Sequence, residues 1–125
     1  MTTILSPLRI LAFTLVTMVC LASAQAHHGW SWTTGKDIKL TGIIDEVRLG
    51  NPHGVLKVKV EDEFWTVEIG QPWRNTRAGL TDADFAEGTE MTFYGEPSAK
   101  IEDRRLKAVR LEKAGRMYDL YPGRE

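Results

Sequence analysis

The chain has 125 residues, with 16 basic and 17 acidic side chains, three histidines and one cysteine. A formal net charge of −1 excludes a field that would steer nucleic acid, and the length allows one domain with a modest core. A lone cysteine excludes a disulfide framework within the chain.

Residues 1–26 read as a signal peptide. Arg9 supplies the charged start, Ile10 to Leu21 the apolar core, and Ala24-Gln25-Ala26 the small-residue cleavage pattern. The apolar run is short of the roughly 20 residues of a comfortable membrane span. Cys20 hints at a lipoprotein, but the "TMV" before it makes a poor lipid-attachment box. Cleavage after Ala26 removes Arg9 and the sole cysteine, so thiolate metal sites and thiol catalysis drop out. The expected compartment is the periplasm or the exterior, with no membrane span left after processing.

Residues 27–36 are expected to be an extended segment, with Trp30 and Trp32 on one side of it, and residues 37–125 the folded domain. "IKLTGIIDEVRL" is a first strand whose apolar phase slips near Gly42-Ile43, as in a strand bent by a bulge or glycine kink. "GNPHG" is a dense turn. "VLKVKV" alternates cleanly with Leu56, Val58 and Val60 inward, and Glu61-Asp62 turns the chain into "EFWTVEI", with Trp65, Val67 and Ile69 inward. Pro72 at a first helical turn, Thr81 as an N-cap and Gly88 as a stop mark helical pieces, with Trp73 and Arg74 opening an insertion that plugs one barrel end. Strands resume at "TEMTFYG", with Met91 and Phe93 inward, then at "RRLKAVRLE", and a last one is suggested at "RMYDLY". The cluster "KIEDRRLKAVR" reads as a solvated strand face, and Met91 and Met117 as packing residues.

This order predicts an all-β fold with one short helical insertion, a five-stranded β-β-β-α-β-β barrel of the oligonucleotide/oligosaccharide-binding (OB) type. An open sheet packed by the helix is the alternative.

Processing would make His27 the amino terminus, where the α-amine and ring Nδ1 chelate one ion. His53, in the loop between the first two strands, would add a third nitrogen. An all-nitrogen tetragonal set favours Cu(II). His28 would stand behind this set or replace a member; cleavage one residue earlier would make Ala26-His27-His28 a copper or nickel chelate in its own right. Set against this, His27 and His28 are a fraying terminus and His53 caps a turn. A metal-free barrel binding a peptide, glycan or envelope protein through the loop of Asn51 and His53 and the stacking faces of Trp30 and Trp32 is the second reading. Catalytic signatures are absent: Ser31 and Ser98 are the only serines after the leader, and neither has a histidine and acid at motif spacing.

Ala26-His27-His28, Thr41-Gly42, Asn51-Pro52-His53, Trp65 and Tyr94-Gly95 together resemble an uncharacterised family of small exported bacterial proteins. That family has a His-His pair at the leader boundary and a central Asn-Pro-His turn. The resemblance runs from about Ala26 to Leu111 and implies the OB-like barrel, but no activity. "HHGW" departs from the commoner "HHS" plus an aromatic, which changes the flank and not the histidines.

Overall fold

The computed structural model describes residues 29–124. Residues 1–26, expected to be a signal peptide, and the His27-His28 pair lie outside them. The chain divides at Trp32/Thr33, and the barrel occupies the second unit. Residues 29–32 form turns rather than the expected extended run, as Gly29 and Ser31 favour. Extended pairing begins at Thr33, bridged to Ser98, and Thr34 N–H donates to Pro97 O at 3.0 Å.

Six strands form among the described residues: β1 (Ile38–Arg48), β2 (Val55–Val60), β3 (Glu63–Glu68), β4 (Glu90–Pro97), β5 (Arg105–Lys113) and β6 (Arg116–Asp119). β1, β2 and β3 make an antiparallel meander. β1 also pairs β4, β4 pairs β5, and a parallel β3–β5 ladder closes the ring. The circuit β1-β2-β3-β5-β4-β1 is the five-stranded Greek key of an OB-like barrel, so the open sheet is set aside. β6 is the last strand suggested at "RMYDLY", and it lies beyond the five of the ring. The chain turns at Ala114-Gly115, both at positive φ, and β6 pairs back along β5 outside the ring.

β1 is long because it serves two neighbours. Ile38 to Ile43 pair with β4, and Ile43 to Arg48 with β2. The bulge falls between Ile44 and Glu46, just beyond the predicted Gly42-Ile43 slip. There, Ile44 N–H donates to Thr89 O and its carbonyl accepts from Gly88. Gly42 serves close approach instead, since a Cβ there would sit 2.4 Å from Lys59 O. The inward alternation holds, with Leu56, Val58, Val67, Met91 and Phe93 buried in one core and Trp65 half-buried against it.

The insertion is two separate pieces. α1 (Pro72–Ala78) starts on proline and ends at Gly79, whose φ of 97° suits a residue without Cβ. A 3₁₀ turn over Asp82–Phe85 follows Thr81, whose N–H donates to the Asp84 carboxylate at 2.7 Å. Leu80 and Phe85 carry the insertion into the core, whereas Trp73 is 53% exposed and plugs nothing. A seven-residue helix covers the barrel with one narrow stripe, and Trp73 lies off it. Met117 is likewise exposed, on the outer strand β6.

Candidate functional site

His53 sits in the loop between β1 and β2, next to the cis Asn51–Pro52 bond. Asn51 is exposed and His53 half-buried. Backbone bonds from Gly54 N–H to Gly70 O (3.2 Å) and from Ile69 N–H to Gly54 O (3.0 Å) tie the loop's end to the end of β3. A Cβ on Gly54 would lie 2.7 Å from the Ile69 side chain, so glycine permits this approach. The ring then meets two acceptors, Gly54 O from Nδ1 at 3.1 Å and Glu68 Oε1 from Nε2 at 3.0 Å. Both bonds form together only when each nitrogen carries a proton, and a ring in that state has no lone pair for a metal.

Glu68 is the centre the sequence does not announce. It is 2% exposed, and besides His53 it takes Arg105 through Oε2 and has Lys107 Nζ 3.7 Å from Oε1. β3–β5 closure makes this meeting, because Glu68 is the register partner of Lys107. On its other side Lys107 pairs in register with Glu96, which accepts from Thr33 Oγ1 and from Arg124 at 3.0–3.1 Å. A row of alternating charge thus crosses the seam: Arg105, Glu68, Lys107, Glu96, Arg124.

"KIEDRRLKAVR" is therefore solvated only in its first half: residues 100–104 are exposed, as expected, but residues 106–109 are all buried and Lys107 is 5% exposed. Burial holds the Lys107 ammonium below its ordinary value; Glu68 opposes this, and Arg105 and Arg124 add to it. Tyr121 is half-buried and its phenol is pushed up, by burial first; Arg74 and Arg124 oppose that shift and Glu68 adds to it.

Beside this row, α1 and the C-terminal segment enclose an open cleft of about 420 Å³ lined by Arg74, Arg77, Tyr121, Pro122, Gly123 and Arg124. A second of about 380 Å³ lies between the Leu49-Gly50 end of the His53 loop and α1, with Asn75 in its wall. The outer face of β1–β3 carries a third feature. Ile43, Lys59 and Phe64 are register neighbours across the three strands, with Ile43 40% and Phe64 45% exposed. Lys57 Nζ lies 4.4 Å from the Phe64 ring centroid.

Of the residues predicted for a site, His53 and Asn51 share the loop. Trp30 and Trp32 are half-buried in the other unit, and His27 and His28 lie outside the described residues. Among the described residues no group of three His, Cys, Asp or Glu side chains is placed to hold a metal, and no helix is long and apolar enough to cross a membrane. Glu68 and Lys107 escape a reading of alternation because they point outward. Their burial is made by the His53 loop and the C-terminal segment, and "DLYPGRE", with Leu120 and Tyr121 amid polar residues, is the only signal of that cover.

A search of curated proteins finds no significant match to this sequence. Among solved structures, one chain of the S. pombe Stn1-Ten1 complex is similar with a TM-score of 0.49 at 17% identity, over 62% of this chain and 57% of that one. A ZRD-deleted mutant of TiaS in complex with agmatine gives a TM-score of 0.47 at 11% identity, over 68% of this chain and 26% of that one. This chain thus spans less than two thirds of either neighbour. The model of DUF6152, a family of unknown function, matches residues 15–106, most of the chain, and the chain belongs to that family.

Proposed function

We propose that the chain is an exported, metal-free binding module that takes an acidic, apolar-bearing peptide segment of a partner protein on the outer face of β1–β3. The observation that carries this reading is the Ile43–Lys59–Phe64 row, where two large apolar side chains stand in solvent astride a cation. Apolar residues on the solvent face of a small barrel cost solubility unless a partner covers them. In OB barrels this face, between the β1–β2 and β4–β5 loops, is the one that receives ligands. Here Lys59 has no carboxylate within ion-pair distance among the described residues, which favours an acidic partner. His53 and Arg105, one from each bounding region, are both clamped on Glu68, so the loop is held in place before binding.

Panning a peptide library against the processed chain tests this. Acidic peptides with an aromatic or aliphatic anchor should be selected, and Phe64→Ala should weaken them about tenfold or more. Binding as tight as wild type by both the Phe64→Ala and the Lys59→Ala variants would rule this face out. A copper site on His27 and His53 would require His53 to leave its two acceptors. On the metal-free reading, wild-type and His53→Ala chains titrate with Cu(II) identically. Mass spectrometry of the fractionated protein checks export and the cleavage after Ala26.

A further inference from the structure

We infer that the cleft between α1 and the C-terminal segment is a binding site for a compact dianionic oxyanion, a phosphate monoester or a small dicarboxylate. It shares no residue with the β1–β3 face and stands or falls separately from the function proposed for that face.

Three guanidiniums from two segments line the cleft, and among the described residues none that lines it is acidic. Arg124 is matched by the buried Glu96. Arg74 and Arg77 have no carboxylate within ion-pair distance among the described residues, so two positive charges face the cleft with no counter-charge among those residues. Like-charged guanidiniums three residues apart on a helix repel each other, which is a standing cost that a dianion would relieve.

The local build is specific to oxyanion recognition. The Arg74 guanidinium carbon lies 4.4 Å from the centroids of both Trp73 and Tyr121, and its Nε donates to Gln71 Oε1 at 3.1 Å. Two aromatic rings thus lie against the guanidinium, and the Gln71 bond takes its Nε–H. What remains is the edge with the two terminal nitrogens, the fork that matches the paired oxygens of a carboxylate or phosphate. Arg77, a turn further along, lies 5.1 Å from the same Trp73 ring. Exposed Trp73, unexplained by core packing, thereby gains a purpose: it stiffens both guanidiniums and lowers the entropy lost when an anion is gripped. Tyr121 adds a wall whose phenol stays protonated at neutral pH, since burial raises it further. A volume of about 420 Å³ falls at the small end of ligand sites, which suits a compact anion rather than a polymer.

Calorimetric titration of the processed full chain at about 0.15 M salt provides the test, with inorganic phosphate, phenyl phosphate, succinate and acetate as probes. Saturable one-to-one binding of phosphate or succinate, with acetate at least tenfold weaker, is expected. Preference for phenyl phosphate over succinate assigns a phosphate monoester, and the reverse a dicarboxylate. Arg77→Gln and Trp73→Ala, both at exposed positions, should each weaken binding about tenfold, with far-ultraviolet dichroism unchanged. The proposal is overturned if acetate binds as well as the dianions, if Arg77→Gln and Arg74→Gln both keep the wild-type affinity, or if no probe saturates. Since the β1–β3 face is scored by peptide selection with Phe64→Ala, failure of either site leaves the other result readable.

Discussion

Removing the Glu68 carboxylate would strand Lys107 among Arg105 and Arg124 in a place that water does not reach. Taking away one partner of a buried pair typically costs about 3–5 kcal/mol. Glu68→Ala should therefore lower the denaturant midpoint far more than Lys107→Met, which leaves Glu68 its His53 and Arg105 contacts. Equal losses in the two variants would show that the row is not centred on Glu68. Asp84 gives a pH test with a definite sign. Its carboxyl is held below 3.8, chiefly by the Lys113 ammonium at 2.9 Å and then by the Thr81 N–H. A folded-state value below the unfolded one means the contribution is complete above 3.8 and lost as pH falls through the lowered value. Asp84→Asn should cost about 1 kcal/mol at neutral pH, as loss of a capping carboxylate does. Its deficit should vanish in strong acid, followed by urea unfolding against pH; a deficit that persists there would place its cause elsewhere.

At the level of elements, the strands are legible because alternation states which side chains face inward. Leu56 and Val58 on β2, Val67 on β3, and Met91 and Phe93 on β4 follow that phase without exception. Alternation is silent about what covers the outward side, and so Glu68 and Lys107 read as wet from sequence alone. The Asn51-Pro52-His53 turn is visible as a loop, but its anchor to Glu68 joins residues on different strands and exists only after closure. Glycines divide in the same way. A Cβ on Gly95 would sit 2.1 Å from Lys107 O and 2.8 Å from Ala108 Cα, both backbone atoms at the β4–β5 bulge. Gly95→Ala is expected to abolish cooperative unfolding or to cost well over the about 1–3 kcal/mol of ordinary overpacking. Gly88, at φ 85° with open space around it, should cost only about 1–2 kcal/mol as alanine, the strain of its backbone alone. Paired urea melts compare the two, and similar losses would contradict the register of β4 against β5.

For the whole molecule, the barrel holds together without a covalent staple. The only cysteine, Cys20, precedes the proposed cleavage, so the processed chain should unfold at the same denaturant concentration with and without reductant. A reductant-dependent shift would mean that the leader remains attached or that chains are cross-linked through it. Hydrogen exchange should rank β1 to β5 as the slower strands, since each lies between two paired neighbours in the closed ring, and β6 as faster, since one of its edges is open.

The division of β1 between two neighbours also decides where this chain tolerates being cut. A circular permutant opened within the exposed residues 99–104 parts only a connector, and each flanking strand keeps its partners. Opening at Ile43 instead splits a single strand between its β4-paired and β2-paired halves, and the fragments must rediscover their alignment as strangers. Cleavable linkers, inserted tags and split reporters therefore belong in the first position and have no tolerable home in the second.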